Sequence, residues 1–108
     1  MFDVPSFFFG GPDNDKLYGE NGDDILKSGD GYDTLDGSTD NDTLHSESGN
    51  DTLYASIGHD TLYGGLGSII LYGNVGNDKI YANDTSDSGE DTVYGEDGDD
   101  TIDTNDNK

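Results

Sequence analysis

Aspartate stands at positions 15, 24, 33, 42, 51 and 60, gives way to Ile69, returns as Asp78 and recurs as Asp91 and Asp100, a period of nine residues interrupted at Ile69 and by one thirteen-residue step before Asp91. Two places after each of these positions lies an aliphatic side chain: Leu17, Leu26, Leu35, Leu44, Leu53, Leu62, Leu71, Ile80, Val93 and Ile102. With Gly10 taken as position 1 of the repeat, and the four extra residues before Asp91 left out of the count, all 17 glycines fall at positions 1, 2 or 4. A unit this short cannot bury its own apolar face. Stacking on its neighbours must supply the core, which makes the chain a solenoid and requires its function to be read repeat by repeat.

Composition alone points elsewhere. With 25 acidic residues against four lysines, a net charge of -21 and 29% hydrophobic residues, the 108-residue chain has the make-up of a disordered acidic polymer. Acidic tracts do not place a leucine at every ninth residue, so periodicity overrides composition. The charge excludes nucleic-acid binding. The absence of cysteine rules out disulfide bracing and thiolate zinc sites. No apolar run approaches the roughly 18 residues of a membrane span, and a soluble single domain is expected. The segment Met1 to Phe9 holds Phe7-Phe8-Phe9 but no basic flank, so no cleaved secretory leader is expected in it.

Within a repeat, positions 7 to 9, such as Thr52-Leu53-Tyr54 and Thr61-Leu62-Tyr63, read out-in-out, with β-branched and aromatic residues around one inward leucine. That predicts a strand of three residues. The six residues before it, such as Ser46-Glu47-Ser48-Gly49-Asn50-Asp51, are predicted to turn, with glycine supplying positive φ. Parallel strands stacked about 4.8 Å apart bring like positions over one another, which puts a ladder of leucines inside and a ladder of aspartates along each edge. Stacked carboxylates repel at neutral pH and call for a cation between them. An all-oxygen donor set of carboxylates and turn carbonyls suits calcium before magnesium.

The run Gly64-Gly65-Leu66-Gly67-Ser68-Ile69-Ile70-Leu71-Tyr72 approaches the pattern G-G-x-G-x-D-x-U-x apart from its missing aspartate, and Gly73 to Tyr81 keeps that aspartate. From Gly10 to Asp103 the chain resembles the calcium-binding nonapeptide repeats of the repeats-in-toxin (RTX) family. The resemblance implies an all-β, right-handed parallel β-roll with two nonapeptides per turn and no significant helix. Each calcium ion is then expected between one loop and the loop two repeats on, so the ions form two columns. The implied ligands are the position 6 aspartates of both loops, carbonyls of positions 1 and 3 of one loop, and carbonyls of positions 2 and 4 of the other. Asp15 with Asp33 and Asp33 with Asp51 form one column. Asp24 with Asp42, Asp42 with Asp60, Asp60 with Asp78 and Asp78 with Asp100 form the other, giving six complete sites. The implied carbonyl ligands include Ser28, Gly29, Asp30 and Gly31; Gly37, Ser38, Thr39 and Asp40; Ala55, Ser56, Ile57 and Gly58; and Gly73, Asn74, Val75 and Gly76.

Two departures qualify the pattern. Ile69 removes a carboxylate from the sites it would share with Asp51 and with Asp91, so both are expected to be weak or empty. Ile80 and Val93 are thirteen residues apart where nine are expected; the four extra residues are placed in 82–85, as an outward bulge that does not shift the coil. All four phenylalanines lie in residues 1–9, read as an apolar cap with Phe8 at the inward position. Residues 104–108 are read as a polar tail. The resemblance further implies an extracellular, secreted protein using the type I route, although residues 104–108 do not resemble that route's apolar-ended signal.

The outward positions offer a second reading. Tyr18, Tyr54, Tyr72 and Tyr94 align along one face and Tyr63 and Tyr81 along the other, as stripes that could dock a glycan or a neighbouring protein domain. Cross-strand packing within a thin sheet also favours outward aromatics and is the preferred reading. The Thr and Asn rows of an ice-binding lattice are missing. Nucleophile elbow, phosphate loop, His-Glu-x-x-His and EF-hand patterns are all absent, and His45 and His59 are read as solvated, so the chain is not expected to be an enzyme.

Overall fold

The structure, a computed structural model, describes residues 6–82 and 89–103. Eleven strands of three residues follow in order: β1 Phe7–Phe9, β2 Lys16–Tyr18, β3 Ile25–Lys27, β4 Thr34–Asp36, β5 Thr43–His45, β6 Thr52–Tyr54, β7 Thr61–Tyr63, β8 Ile70–Tyr72, β9 Lys79–Tyr81, β10 Thr92–Tyr94 and β11 Thr101–Asp103. Odd strands form one sheet in the order β1-β3-β5-β7-β9-β11, and even strands form the other, β10-β8-β6-β4-β2. Every pairing is parallel. Two repeats therefore make one turn of a β-solenoid of about five turns, and no helix occurs among the described residues.

Register follows the period. Leu35 lies between Leu17 and Leu53, and Leu44 between Leu26 and Leu62, each 18 residues from its partner in sequence. The middle residue of each strand points between the sheets. Leu26, Leu35, Leu44, Leu53, Leu62, Leu71 and Ile80 are fully buried, and Phe8, Leu17 and Val93 close the ladder partly buried near the ends. At roughly 1.5–3 kcal/mol for each buried aliphatic side chain, this ladder is the principal apolar contribution to the fold.

The turns are as regular as the strands. Positions 2 and 4 of the loops adopt left-handed backbone, as in Gly29 (φ 89°) and Gly31 (φ 122°). At position 4, Asp13 and Asp40 hold positive φ with a side chain, but three later turns need glycine for a second reason: a Cβ on Gly49, Gly58 or Gly76 would overlap the carbonyl oxygen of Gly31, Asp40 or Gly58, one turn earlier. Position 2 is less strict. Glu20, Ser38, Glu47, Ser56, Asn74 and Glu96 all hold positive φ there, at a cost on the order of 1 kcal/mol each. Position 3 residues pair as isolated parallel bridges, Asp30 with Ser48, Ser48 with Leu66, Thr39 with Ile57 and Ile57 with Val75, so the turns stack in register with the strands.

The ends and the insertion extend this frame. Ser6 takes the position 6 place, its N–H donating to Asp24 Oδ1 at 2.8 Å, and β1 is thus a full strand of the roll. Phe8 faces inward while Phe7 and Phe9 are exposed. Phe2 lies outside the described residues, as does 104–108. Ala82, expected within the insertion, is fully buried with its N–H donating to the Asp103 carbonyl, which is the position 1 pattern of Ser28 and Ser46. Residues 83–85, with Asp84, Ser86 and Asp87, fall outside the described residues. Beyond them β10 stays in register on β8 (Thr92 on Ile70), now 22 residues apart.

Candidate metal centre

Each position 6 aspartate leaves its turn just before a strand, where the chain straightens and its side chain is turned into the protein. Asp24, Asp33, Asp42, Asp51, Asp60 and Asp78 are at most 2% exposed. One oxygen of each carboxylate is fixed by the preceding turn: Asp15 N–H donates to Asp33 Oδ1 at 2.7 Å, and Asp33 N–H to Asp51 Oδ1 at 2.7 Å. On the other edge the same bond joins Asp24 to Asp42 (2.8 Å), Asp42 to Asp60 (2.7 Å), Asp60 to Asp78 (2.9 Å) and Asp78 to Asp100 (2.9 Å). All six aspartate pairs that the resemblance implies are thus adjacent in two columns.

The second oxygen is different. Oδ2 of Asp15, Asp24, Asp33, Asp42, Asp51, Asp60 and Asp78 is buried with no hydrogen-bond partner. A buried acceptor left unsatisfied costs about 1–3 kcal/mol, more when charged. Seven at one equivalent position are a property of the design. Loss of water is the main cause pushing the Asp42 carboxyl up to about 8, Asp60 to about 7, and Asp51 and Asp78 to about 6, and it also raises Asp24. Like charge adds to it along the column, from Asp60 and Asp24 on Asp42 and from Asp100 on Asp78, while the backbone N–H bonds act in the opposite direction.

Backbone oxygens converge on the same places. A point one bond length from the Cα of Gly10 lies 2.6 Å from Asp15 Oδ2 and 2.7 Å from the Ser28 carbonyl. The corresponding point at Gly73 lies 2.8 Å from Asp78 Oδ2 and 2.7 Å from the Gly95 carbonyl. At Gly37 the distances are 2.6 Å to Asp42 Oδ2 and 3.0 Å to the Ala55 carbonyl. Orphaned carboxylate oxygens beside inward carbonyls fit a hard cation such as calcium, whose ligands are oxygens at about 2.3–2.6 Å. Among the described residues no three Asp, Glu, His or Cys side chains group as a metal site. Two carboxylates with backbone carbonyls is the donor set this fold can offer.

The carbonyls named from the sequence are not all equivalent. Those at position 2 accept N–H groups from the next turn, Ser38 from Ile57 at 2.9 Å, Ser56 from Val75 at 2.9 Å, Gly29 from Ser48 at 3.3 Å and Asn74 from Asp97 at 3.0 Å. The Val75 carbonyl accepts the Gly58 N–H at 3.1 Å. Each carbonyl oxygen has a second lone pair. At position 1 the Ser28 hydroxyl donates to the Ser46 carbonyl at 2.9 Å, and the Ser46 hydroxyl donates to the Gly64 carbonyl.

Ile69 breaks the acid column as its sequence position requires. Its side chain is fully buried among the core residues, and its N–H donates to Asp91 Oδ1 at 3.0 Å. The missing carboxylate is replaced by packing.

A second ladder was not visible in the sequence. The position 5 side chain of one turn accepts the position 5 N–H of the next: Asn14 from Tyr32, Asp23 from Asn41, Asn41 from His59, Asn50 from Ser68, and Asn77 from Asp99. His59 continues it, its Nδ1 accepting the Asn77 N–H at 3.0 Å. Position 5 bonds point forward along the roll and position 6 bonds point back, so neighbouring turns are latched from both sides. Neither histidine is simply solvated. His45 stacks on Tyr63 with ring centroids 4.5 Å apart, and burial with nearby Lys27 holds its imidazole below the ordinary range.

Outward aromatics do align. Tyr54, Tyr72 and Tyr94 stack at 4.9 and 5.0 Å on the even sheet, and Tyr63 stacks on Tyr81 at 5.1 Å on the odd sheet.

A parallel solenoid whose edges carry paired buried carboxylates and inward carbonyls belongs to the class of calcium-binding β-rolls. The chain is a member of the RTX calcium-binding nonapeptide repeat family, whose model matches residues 7–35, 36–68 and 73–107 in four copies. No curated protein and no solved structure matches the chain significantly. The repeats and the β-roll fit a calcium-binding structural module, a kind of domain that is not typically catalytic.

Proposed function

We propose that this module is a calcium-driven folding switch. Below micromolar calcium the chain is held open by its charge of -21. At the millimolar calcium found outside cells, six ions bring that charge to about -9 (-21 plus six times +2) and lock the turns together. Each ion lies between the Asp15–Asp33, Asp33–Asp51, Asp24–Asp42, Asp42–Asp60, Asp60–Asp78 or Asp78–Asp100 pair, with carbonyls of the two loops completing its shell. The sites bordering Ile69 bind weakly. The observation that carries this reading is the row of buried, partnerless Oδ2 atoms, with those of Asp15, Asp24, Asp42 and Asp78 each beside a turn carbonyl.

Repeats of this family are typical of secreted bacterial proteins, which supports an extracellular setting and export by the type I route. Far-UV circular dichroism with calorimetric titration tests the reading: chelator should leave an unfolded spectrum, and calcium should restore sheet with about six ions bound. Retention of the full sheet signal in chelator would overturn it.

A second reading uses the calcium roll as a scaffold on which outward rings dock a glycan or a protein. The outward Tyr54–Tyr72–Tyr94 stack, exposed at Tyr54 and Tyr94 and half-buried at Tyr72, supports it. Glycan titration into the calcium-loaded protein, with a Tyr54→Ala/Tyr72→Ala control, tests it; no heat of binding would mean no platform.

A further inference from the structure

We propose that Tyr18, Asp36 and Tyr54 form a slot for the planar guanidinium of an arginine side chain presented by a partner peptide. The inference rests on the second reading above and specifies which chemistry that face takes. On the even sheet, register puts Tyr18, Asp36, Tyr54, Tyr72 and Tyr94 in one outward row, one residue per strand. From Tyr54 onward the row is a continuous stack at 4.9 and 5.0 Å. Those rings cover each other's faces. At Asp36 the row lacks a ring, so two rungs, about 9.5 Å at strand spacing, separate Tyr18 from Tyr54.

That gap admits one flat group at the spacing the other rungs already show. Tyr18 is 52% and Tyr54 36% exposed, so the slot opens to solvent. Asp36 stands between them, and its carboxylate is tethered: Oδ1 accepts the Ser38 N–H at 3.0 Å and the Ser56 hydroxyl at 3.0 Å. A cation entering on the middle rung would sit about 5 Å from the Tyr18 and Tyr54 rungs, within cation–π range of rings stacked as Tyr54 and Tyr72 are, with the Asp36 carboxylate on the rung it enters. Guanidinium is planar, stacks on rings and pairs with carboxylates through parallel N–H donors; ammonium offers charge without the plane. A neutral sugar would leave the carboxylate without a counter-charge. The partner is cationic on charge grounds also, since the chain carries 25 acidic residues against four lysines.

The test titrates acetyl-Gly-Arg-Gly-amide into the calcium-loaded protein and follows the tyrosine ring resonances by NMR, beside the citrulline and lysine analogues. The arginine peptide should shift the Tyr18 and Tyr54 signals saturably and bind at least tenfold more tightly than the neutral, isosteric citrulline peptide. Lysine should fall between. Asp36→Asn should cost tenfold or more, and Asp36→Tyr, which fills the missing rung, should abolish binding. Asp103→Asn makes the same charge change on the other sheet and should leave affinity unchanged. Circular dichroism of each variant separates a lost slot from a lost fold. Equal binding of the citrulline peptide, or equal losses in Asp36→Asn and Asp103→Asn, would overturn the slot. Shifts confined to Tyr72 and Tyr94 would overturn it too while keeping a docking face.

Discussion

The backbone N–H of Asp42 donates to Oδ1 of Asp60 at 2.7 Å, while the Asp42 carboxylate itself accepts the N–H of Asp24 at 2.8 Å. Every turn thus fixes the carboxylate of the following turn through one oxygen and leaves the other facing the interior. In the metal-free roll this second oxygen is a burden when charged and harmless when protonated.

Acidification should therefore help the metal-free form. The folded-state values of Asp42, Asp60, Asp51 and Asp78, about 8, 7, 6 and 6, lie above the ordinary 3.8, so the folded chain binds more protons than the unfolded one. Their contribution is fully present below about pH 4 and is lost as pH rises towards 8. In chelator, the sheet signal in circular dichroism should increase from pH 8.5 down to pH 4.5. With calcium the sign reverses, because protons compete for the same oxygens, and the calcium midpoint should move to higher concentration over that range. A metal-free protein equally unfolded at both ends would contradict the structure.

Ile69→Asp should change sign with calcium. Without metal it removes a fully buried aliphatic side chain, worth roughly 1.5–3 kcal/mol, and adds a buried acid. With metal it completes the column between Asp51 and Asp91. Calorimetry should count up to two more ions, and the melting temperature should rise in millimolar calcium, whereas the sheet signal regained in chelator at pH 4.5 should be smaller than in the parent protein. An unchanged ion count would show that Ile69 is not what interrupts that column.

Glycine substitutions should go opposite ways at neighbouring positions. Glu47 holds φ 72° with a side chain it does not need, so Glu47→Gly should stabilise the calcium form by about 1 kcal/mol. Two residues on, Gly49→Ala should destabilise by about 2 kcal/mol or more, because its Cβ meets the Gly31 carbonyl oxygen. Urea denaturation of the calcium-loaded proteins measures both.

Position along the roll should grade the core. Leu53 is fully buried in the middle of the ladder, and Leu53→Ala should cost about 2–5 kcal/mol. Leu17, near the end and only partly buried, should cost clearly less when cut to alanine. Equal losses in denaturation would mean that the ends are covered.

Much of this was legible in the sequence, since a strict period fixes neighbours without any knowledge of three-dimensional packing. The triplets at positions 7 to 9 are the strands, while the 18-residue column of Asp15, Asp33 and Asp51 followed from the two repeats per turn that the family resemblance implies. What escaped were features shared in chemistry but not in residue type. Asn14, Asp23, Asn50 and His59 look unrelated as letters, yet each offers an acceptor at equal reach from its backbone. Ser6 lacks both the aspartate and the glycines of its repeat, which hid the first turn. His45 is hidden because imidazole shares no letter with the tyrosines of the odd-sheet stripe, although it stacks as a rung beside Tyr63. Asp36 replaces a ring in the even-sheet row, and an interruption leaves no signal in a repeating pattern.

The 22-residue spacing that carries β10 onto β8, where 18 serves elsewhere, shows how cheaply this architecture absorbs extra chain. Closing the longer loop costs only about 0.2 kcal/mol more by the logarithmic dependence on length. Four extra residues between β9 and β10 therefore leave the pairing on both sheets intact, so the roll is ordered by spatial rungs and not by a fixed residue count.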